Sequence, residues 1–519
     1  MRLNLQSVSG SFEDFSARIA AHAAARPETV AIEDGKVKRT WCDFARIVRQ
    51  GAAVLAELKV GPGQRVALMA ENGAPFVEAF FSIIESGACL VTIPTMLPAD
   101  AAARILENAA PSLILVSERL ANALQEVLAS SPHLKNVRVV SLAAFHERLC
   151  HADDRRQARA ASPDDDFNIV YSSGTTGDPK GILHSHATRV AQSSGMAGLG
   201  FDETTVTLIS TPLYTNLSIP ALLATVWGGG RVLIMEKFSE HGFLQLASRE
   251  RATHFYLVPV QVQRLIERPD FASYDLSATR LVYVAGSMFQ AAFKKKLQEL
   301  WPGTLVEVYG MTEGAPASIL FIRDNPEKLS SVGKPVAGCE VCLIDDEDNE
   351  LPVGEVGEIV GRSGAMMKGY YNRPDETRDL IWRDRQGNAF FRSGDIGYFD
   401  QDGFLYVVDR KKDMIISGGL NVYASDIEEV IVSHGDIAEA AVVGMPSARW
   451  GETPVAVVAA KPAARIDPDA LVAWINDRVA KHQRVSAVIV RDALPRNAMG
   501  KVLKRELKAA LIKQGMTLP

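Results

Sequence analysis

The stretch Tyr171-SSGTTGDPKG-Ile182 follows a short apolar run at residues 167–171 and holds two serines, two threonines, three glycines and one lysine within ten residues. Glycine lets the backbone approach an anion closely, hydroxyl and amide groups donate to phosphate oxygens, and lysine adds positive charge. The spacing differs from the G-x-x-x-x-G-K-[ST] pattern of Walker loops. The stretch therefore predicts a phosphate-binding loop after a buried strand, and a surface turn is the simpler alternative.

Alternating strand and helix patterns surround this loop. A strand is predicted from residue 65, a helix at 75–86 and a second strand from residue 89. Strand, helix and strand with short links are typical of a parallel sheet. Further buried strands are predicted at 112–116, 137–140, 168–172, 205–210, 231–235, 254–258, 281–285 and 305–309. The fold class is therefore predicted to be α/β.

The pattern changes after residue 331, where helical periodicity fades and short strands with Gly and Asp turns continue to about residue 409. This texture predicts a small β-barrel or distorted sheet. Beyond a charged link, helix and strand patterns predict a small α+β domain, in which Ser425 and Glu428 are spaced as a capping box. We predict an N-terminal domain at 1–409 with a barrel-like part at 331–409, a hinge at 410–412 and a C-terminal domain at 413–519.

The composition narrows the class of protein. The chain has 519 residues, 47% hydrophobic and 23% charged, with a formal net charge of −6, which excludes collagen-like and disordered chains and does not favour a nucleic-acid binder. Its five scattered cysteines favour a reducing compartment, so we expect a cytoplasmic protein. The N-terminus lacks the apolar core of a signal peptide, and the most apolar later stretch, 81–94, is too short to span a bilayer.

Two patterns could suggest a metal site. Cys339 and Cys342 form a lone C-x-x-C with no second pair or histidines nearby, and His184 and His186 have no evident carboxylate partner. Zinc sites usually require more ligands than either pattern offers. We therefore expect no metal at either place.

Five motifs together make the sequence resemble the adenylate-forming superfamily, which includes acyl- and aryl-CoA ligases, adenylation domains of peptide synthetases and beetle luciferases. They are Tyr171-SSGTTGDPKG, Tyr309-GMTEG, Glu358-IVGRS, Ser393-GDIGYFDQDGFLYVVDRKKDMIISGG and Pro495-RNAMGK. The resemblance covers nearly the whole chain. It implies a large N-terminal domain of two stacked α/β subdomains and a barrel, followed by a small mobile domain that rotates between two half-reactions.

The resemblance also implies an ATP site with Mg²⁺ at Glu313, since a hard cation takes oxygen ligands and bridges phosphates. It implies no tightly bound prosthetic group. Tyr309 resembles the aromatic residue that stacks on adenine, and Asp395 resembles the carboxylate that accepts the ribose hydroxyls. A core aromatic and a turn residue are the simpler alternatives. The residues implied in nucleotide binding are Ser172, Ser173, Gly174, Thr175, Thr176, Gly177, Lys180, Gly286, Ser287, Tyr309, Gly310, Met311, Thr312, Asp395, Arg410 and Lys501.

Activating a carboxylic acid brings a carboxylate against a phosphate, so the site must neutralise both anions. The residues implied in catalysis are Lys501, Thr176 and Glu313. Lys501 resembles the mobile lysine that reaches both the carboxylate and the α-phosphate. Lys412 resembles the hinge residue. Gly418 and Gly419 resemble the glycines that let pantetheine pass.

The acid pocket is implied by motif position. Tyr214 lies where the family often has an aromatic–histidine pair, but Thr215 stands where histidine is common, and Asn216 follows it. The residues implied in the pocket are Tyr214, Thr215, Asn216, Ala285, Gly310 and Pro316. Small residues leave room for a flat or extended acid, and no carboxylate is evident to pair with an amino-acid ammonium. We therefore predict an aromatic or medium-chain aliphatic acid.

The predicted function is an ATP-dependent carboxylic acid:CoA ligase, which forms an acyl-adenylate and pyrophosphate and then an acyl-CoA thioester and AMP. Its partners are the acid, ATP and CoA, with no nucleic acid and no membrane span. One alternative is an enzyme that loads the acyl group onto the phosphopantetheine of a carrier protein. Others are a catalytically silent nucleotide-binding regulator and a luciferase-type oxidation. The sequence leaves the oligomeric state open, including a homodimer.

Overall fold

A computed structural model describes residues 3, 12–152, 160–172, 179–418, 420–447, 449–462, 464–496 and 501–514. The strands are β1 Val30–Glu33, β2 Lys38–Thr40, β3 Arg65–Met69, β4 Cys89–Thr92, β5 Leu113–Val116, β6 Arg138–Ser141, β7 Asp166–Ser172, β8 Lys180–Ser185, β9 Val206–Ile209, β10 Arg231–Ile234, β11 His254–Leu257, β12 Leu281–Ala285, β13 Thr304–Gly310, β14 Ala317–Phe321, β15 Lys334–Pro335, β16 Cys339–Ile344, β17 Gly357–Ser363, β18 Gly369–Tyr370, β19 Ile381–Arg383, β20 Ala389–Phe399, β21 Leu405–Arg410, β22 Ile415–Ser417, β23 Leu420–Val422, β24 Ile437–Ser447, β25 Gly451–Ala460 and β26 Ala487–Arg491. The α-helices are α1 Phe15–Ala25, α2 Trp41–Glu57, α3 Ala74–Glu85, α4 Ala99–Ala109, α5 Ala121–Ala129, α6 Leu142–Leu149, α7 His186–Gly195, α8 Ser218–Gly228, α9 Glu240–Arg249, α10 Pro259–Ile266, α11 Ala291–Leu300, α12 Pro374–Asp379, α13 Ala424–Val432, α14 Pro468–Asn476 and α15 Lys504–Lys513.

The chain divides into two compact units. The first comprises Met1–Val341 and Gly361–Phe391, and the second comprises Cys342–Val360 and Arg392–Pro519. This division does not coincide with the predicted domain boundary at residue 409, because part of the predicted barrel segment groups with the C-terminal residues. The hinge at 410–412 stays a prediction.

The first unit contains two large sheets. One has nine strands in the order β15-β14-β13-β12-β11-β9-β10-β1-β2, and the other has seven in the order β18-β8-β7-β4-β3-β5-β6. In the first sheet β13, β12, β11, β9 and β10 run parallel, and in the second β7, β4, β3, β5 and β6 do. The predicted α/β class with a parallel sheet is confirmed.

Several parallel strands are buried along their whole length, which explains why the sequence predicted them. Strands such as Leu113–Val116 and His254–Leu257 have every residue buried, and strands covered on both faces read as continuous apolar runs. Helices between them begin at local caps: the Thr40 side chain accepts from the Asp43 amide at the start of α2. The edge strand Lys38–Thr40 is too short and polar to give such a signal, and Gly369–Tyr370 has only two residues.

The second unit contains antiparallel pairs and a small α+β layer. β20 and β21 form a hairpin in which Asp395 lies opposite Arg410. A further sheet has the order β23-β22-β25-β24, with β26 parallel to β25. Two apolar clusters flank this sheet, one with α13 and α14 and one with α15. The α+β prediction for this part is confirmed.

The predicted capping box at Ser425 and Glu428 is wrong. The Ser425 hydroxyl donates to the Val408 carbonyl instead, and a Glu428 carboxylate oxygen accepts from the Val442 amide at 2.7 Å. The amide of Ala424 donates to Asp409 at 2.6 Å. The cap therefore comes from a residue far ahead of the helix, which local spacing could not reveal.

No helix in the described ranges is both long and apolar enough to cross a bilayer. Cys339 and Cys342 both lie on the strand Cys339–Ile344. No disulfide joins any of the five cysteines, all of which the structure describes.

Candidate functional site

The nine-stranded sheet brings several predicted site residues to one edge. β9, β11, β12 and β13 are parallel neighbours, so their carboxyl ends meet at that edge. The loop holding Tyr214 to Asn216 follows β9, Gly286 and Ser287 follow β12, and Tyr309 and Gly310 end β13. Ligands of open α/β sheets bind at the carboxyl ends of strands. The predicted adenine and acid residues of the first unit therefore share a ligand-binding edge.

Two of the predicted site glycines lie at this edge of the sheet. Gly286 has φ +100°, a conformation that favours glycine. A side-chain carbon added at Gly310 would lie 3.5 Å from the Pro316 carbonyl oxygen and 3.7 Å from the Ala317 side chain. The predicted pocket members Gly310 and Pro316 are thus neighbours.

The segment that holds Glu313 is fixed by three carbonyl hydrogen bonds. His184 Nε2 donates to the Thr312 carbonyl at 2.8 Å, and the Met367 amide donates to the Glu313 carbonyl at 2.8 Å. The Ser363 hydroxyl donates to the Gly314 carbonyl at 2.7 Å. Because donors from two separate stretches of the chain satisfy consecutive carbonyls, the direction of the Glu313 side chain is set by tertiary structure.

A buried arginine orients His184. Arg189 is fully buried, and its guanidinium donates to His184 Nδ1 at 3.2 Å and to Asn168 Oδ1 at 2.9 Å. Since Nδ1 accepts and Nε2 donates, His184 is neutral, and burial together with the Arg189 charge holds its pKa well below the usual value. Both ring nitrogens are used in fixing the Glu313 segment.

Glu313 and Lys180 both contact the Tyr370 side chain. Glu313 is 9% exposed, and its Oε1 accepts from the Tyr370 hydroxyl at 2.7 Å. The Lys180 ammonium lies 4.8 Å from the centre of the Tyr370 ring and 3.5 Å from Glu376 Oε2. A positive and a negative group that the sequence separates by over a hundred residues are thus brought to one aromatic side chain.

The donor set at Glu313 fits a magnesium ion that arrives with phosphates. The described stretches contain no group of three or more His, Cys, Asp or Glu side chains arranged to hold a metal. Mg²⁺ is commonly bound by one or two carboxylates plus substrate phosphates and waters. A single mostly buried carboxylate matches that mode, and the tyrosine that holds it also contacts Lys180.

Part of the predicted phosphate loop lies outside the described residues, namely Ser173, Gly174, Thr175, Thr176 and Gly177. Its two ends are described: the backbones of Ser172 on β7 and Lys180 on β8 pair with each other. A side-chain carbon at Gly181 would come within 2.9 Å of the Ile169 and Tyr171 side chains. Close packing therefore requires glycine just after Lys180.

The predicted acid residues follow β9 in a tightly held loop. The Tyr214 carbonyl accepts from Thr92 Oγ1 at 3.0 Å, and the Thr215 hydroxyl donates to the Pro212 carbonyl at 2.8 Å. Asn216 Oδ1 is buried and has no hydrogen-bond partner among the described residues. A buried acceptor of this kind is costly unless a ligand or water satisfies it.

Sequence reasoning missed two residues at this edge. The Asn72 side chain, after β3, donates to the Thr211 carbonyl at 2.9 Å and accepts from the Leu213 amide at 2.8 Å, so it holds the acid loop. Tyr283 stacks on Tyr256 at 4.2 Å and shares a face of β12 with Ala285, because alternate strand residues face the same side. The alternation in β12 could have indicated Tyr283, whereas nothing local marks Asn72.

The second unit brings together the other predicted nucleotide residues. Asp395 is 8% exposed, and its Oδ1 lies 3.2 Å from Arg410 Nε. The Ser393 hydroxyl accepts from the Asp395 amide at 3.0 Å and donates to the Ile359 carbonyl at 2.7 Å. Gly394 has φ +68°, which suits the turn that presents Asp395. The Ser-Gly-Asp motif is thus a rigid mount for one carboxylate.

Lys501 lies in the same charged environment. Burial, followed by the positive charge of Arg410, lowers the pKa of Lys501 from 10.5 to about 8. Asp395 acts in the opposite direction, and Lys412 in the same direction as Arg410. The structure therefore places the predicted catalytic lysine and hinge lysine near the predicted ribose residues.

The predicted CoA glycines are partly described. Gly418 has φ +59°, and its amide donates to the Trp450 carbonyl at 2.8 Å. A side-chain carbon there would lie 2.9 Å from the Trp450 ring. Gly419 lies outside the described residues.

Comparisons with known proteins agree with these features. Residues 19–371 match the family of AMP-binding enzymes, and residues 426–501 match the C-terminal domain of AMP-binding enzymes. The chain is 31% identical over 487 residues to a feruloyl-CoA synthase of Amycolatopsis sp, covering 93% of this chain and 96% of that protein. It is 30% identical over 478 residues to a long-chain-fatty-acid–CoA ligase of Mycobacterium tuberculosis, covering 91% and 93%.

A solved structure supports the same relationship. The o-succinylbenzoate CoA synthetase of Bacillus subtilis, in complex with an acyl-adenylate intermediate, superposes with a TM-score of 0.84 at 27% identity. The similarity covers 95% of this chain and 97% of that chain. Both the large and the small predicted parts are therefore represented in known relatives.

Proposed function

The chain belongs to the AMP-binding enzyme family, and from this membership we propose that it is an ATP-dependent carboxylic acid:CoA ligase. ATP and CoA are the substrates of ligases of this family. The observation that carries the proposal is that Lys180 and Glu313 contact the same side chain, Tyr370. The Lys180 ammonium lies 4.8 Å from the centre of the ring, and a Glu313 carboxylate oxygen lies 2.7 Å from the hydroxyl. A cation and a buried carboxylate in this arrangement suit a magnesium-bound triphosphate.

In the first half-reaction a carboxylate oxygen attacks the α-phosphorus of ATP and pyrophosphate leaves, giving a mixed anhydride. Lys180 neutralises phosphate charge, and Asp395 accepts the ribose hydroxyls beside Arg410. Lys501 offsets the repulsion between the two anions. Mg²⁺, held by Glu313 when it enters with the nucleotide, would supply further neutralisation of the phosphates.

In the second half-reaction the CoA sulfur attacks the carbonyl carbon of the acyl-adenylate. The C–S bond forms, the bond to the phosphate oxygen breaks, and AMP leaves with the electron pair. The thiol proton passes to a base or to solvent. No protein nucleophile is required because CoA brings the thiol.

We propose an aromatic or medium-chain aliphatic acid as substrate. The pocket loop and the strand end at Ala285 offer no carboxylate for an amino-acid ammonium. Relatives named for feruloyl-CoA and for long-chain fatty acids support both chemical classes. Tyr283, which stacks on Tyr256, lies on the same face of β12 as Ala285, and an aromatic side chain beside the proposed pocket favours an aromatic acid.

Transfer to a carrier-protein phosphopantetheine is the second candidate, because a pantetheine thiol would use the same path as CoA. A catalytically silent regulator is disfavoured by the joint presence of Lys180, Glu313, Asp395 and Lys501. The sparse cysteines continue to favour a cytoplasmic setting. Measurement of the molecular mass in solution would decide whether the protein forms a homodimer.

The decisive experiment is ATP–pyrophosphate exchange over a panel of aromatic and aliphatic acids. Acid-dependent exchange is the expected result, and exchange with no acid of either class would contradict the substrate proposal. Adding CoA alone and identifying the product by mass spectrometry then separates the ligase from the carrier-protein alternative. A ligase forms the acyl-CoA thioester and AMP without any second protein.

A further inference from the structure

We propose that Tyr370 is a positioning residue for the magnesium-bound nucleotide, because its hydroxyl holds the Glu313 carboxylate and its ring holds the Lys180 ammonium. This inference deepens the proposed function, since it assigns a role to a residue of the same ATP site. None of the sequence motifs read above assigns Tyr370 a role.

The Tyr370 side chain is held in place by contacts other than those with Glu313 and Lys180. Tyr370 is 8% exposed and pairs with Ile182 as part of β18 at the edge of the seven-stranded sheet. Its amide donates to Thr377 Oγ1 at 2.9 Å, and its ring belongs to an apolar cluster with Met367 and Phe391. A ring held by backbone pairing and by packing can orient other groups.

The hydroxyl of Tyr370 determines the direction of the Glu313 carboxylate. A mostly buried carboxylate requires hydrogen-bond donors, and the Tyr370 hydroxyl supplies one at 2.7 Å. The hydrogen bond therefore holds the carboxylate in one orientation, from which it can bind a cation.

The ring of Tyr370 supports Lys180 separately. The ammonium lies over the aromatic face at 4.8 Å from its centre, a distance at which the ring attracts a cation. Glu376 Oε2 lies 3.5 Å from the same ammonium. The negative Glu313 thus contacts the hydroxyl of Tyr370, and the positive Lys180 contacts its ring. Without the ring, the Lys180 ammonium would lose this contact and with it part of its orientation for the nucleotide.

Two substitutions separate the two contacts. Tyr370→Phe removes only the hydroxyl, and Tyr370→Leu also removes the aromatic face. The matched control is Tyr371→Phe, the adjacent tyrosine, whose amide donates to the Gly181 carbonyl at 2.7 Å. Thermal melting of all three variants separates misfolding from a change at the site.

The measurement is calorimetric binding of a non-hydrolysable ATP analogue with and without Mg²⁺. Tyr370→Phe should weaken binding of the magnesium complex about tenfold, the size of one lost hydrogen bond to a charged group, and leave magnesium-free binding nearly unchanged. Tyr370→Leu should weaken both. The KM for the acid should stay the same in Tyr370→Phe, and Tyr371→Phe should resemble the wild type.

A double substitution tests whether Tyr370 acts through Glu313. In a Glu313→Ala background, which leaves no side-chain acceptor, Tyr370→Phe should add almost no further loss, because the two changes remove the same contact. Additive losses, or equal losses with and without Mg²⁺, would overturn the positioning role. If the magnesium-dependent loss appears but no acid supports pyrophosphate exchange, the ligase proposal fails and the role of Tyr370 stands.

Discussion

The Asp409 carboxylate at the end of β21 accepts a hydrogen bond from the Ala424 amide at the start of α13, with the two atoms 2.6 Å apart. The Ser425 amide approaches the same oxygen at 3.4 Å. A carboxylate at a helix N-terminus satisfies free amides and interacts favourably with the helix dipole. The predicted hinge at 410–412 lies between these residues, so this contact joins the strand before it to the helix after it.

We predict that Asp409→Ala loosens the hinge. Losing a helix cap lowers the free energy of unfolding by about 1 kcal/mol. Here it also removes the hydrogen bond between the segments on either side of residues 410–412. Trypsin should therefore cleave faster after Arg410, Lys411 or Lys412, with fragment masses as the measurement. Asp467→Ala is the matched control, because Asp467 caps α14 through the amides of Asp469 and Ala470. Equal acceleration of tryptic cleavage at residues 410–412 in both variants would argue against a specific role of the Asp409 contact at the hinge.

The ribose assignment predicts that Asp395→Ala weakens use of ATP. A lost hydrogen bond to a charged group costs about 1.5–3 kcal/mol, which corresponds to a KM for ATP raised by roughly 10–150-fold. Initial-rate kinetics should show this increase with little change in the KM for the acid. Asp402→Ala, an exposed carboxylate at the turn of the same hairpin, should behave as the wild type. An unchanged KM and kcat for Asp395→Ala would refute the assignment.

The buried, unsatisfied oxygen of Asn216 predicts an effect on acid selection. Asn216→Leu removes the acceptor, so acids with a hydroxyl substituent should lose rate relative to apolar acids of similar size. The KM for ATP should be nearly unchanged in exchange assays over the acid panel. Thr215→Val is a useful comparison, because the Thr215 hydroxyl is engaged by the Pro212 carbonyl, so its loss should lower the melting temperature more than it re-ranks acids. A uniform loss across all acids in Asn216→Leu would count against a pocket role.

A buried ion cluster predicts how stability depends on pH. His146 Nε2 donates to Glu78 at 2.6 Å and Nδ1 donates to the Leu142 carbonyl at 2.7 Å, so both ring nitrogens carry hydrogen and the imidazole is charged. Burial opposes the charge, but Glu78 outweighs it and raises the pKa of His146 above 6.5. Burial likewise opposes ionisation of Glu78, but His146 and then Arg39 lower its pKa below 4.5.

The stabilisation from His146 is complete below pH 6.5 and is lost as the pH rises through the raised pKa, while that from Glu78 is lost below pH 4.5. His146→Gln should therefore cost about 1–3 kcal/mol near pH 6 and much less at high pH. Melting temperatures across pH 5–9 measure the difference. His151 is exposed, so the difference in melting temperature between His151→Gln and the wild type should not depend on pH in this way. A constant difference across the whole range would show that His146 contributes through packing alone.

Much of the architecture was predictable because buried parallel strands carry a continuous apolar signal. For example, the strand Leu281–Ala285 was predicted with its observed bounds. The antiparallel pair of Val30–Glu33 with Lys38–Thr40 was missed, since the second strand is short and polar. Signals of this kind depend on burial, and edge strands have little of it.

The parts of the site that escaped prediction depend on contacts between distant residues. Motifs pointed to Glu313 and Lys180, but the Tyr370 side chain that contacts both belongs to a two-residue strand with no pattern of its own. Likewise, Ser425 and Glu428 had the spacing of a capping box, yet Asp409 supplies the cap. Local spacing identifies candidate groups, and tertiary packing decides which of them meet.

The pKa of Lys501 predicts the pH dependence of the first half-reaction. Burial and the Arg410 charge lower this pKa from 10.5 to about 8, so the ammonium is lost as the pH rises through that value. Only the ammonium offsets the repulsion between carboxylate and α-phosphate. The single-turnover rate of acyl-adenylate formation should therefore fall above about pH 8, with the falling limb removed in Lys501→Ala.

Lys501→Ala should slow adenylation by about 10²–10³-fold, the size of one lost preorganised electrostatic contact, and leave thioester formation from supplied acyl-adenylate near normal. The asymmetry follows because the thiol attacks a carbonyl carbon that carries no negative charge. Acetylation of Lys501 should have the same effect as the alanine, since it removes the same charge. Lys508→Ala, on α15 and paired with Glu452 at 2.8 Å, is the control and should alter neither step. Equal slowing of both half-reactions by Lys501→Ala would show that the lysine supports the fold or both steps, and the assignment of Lys501 to adenylation alone would fail.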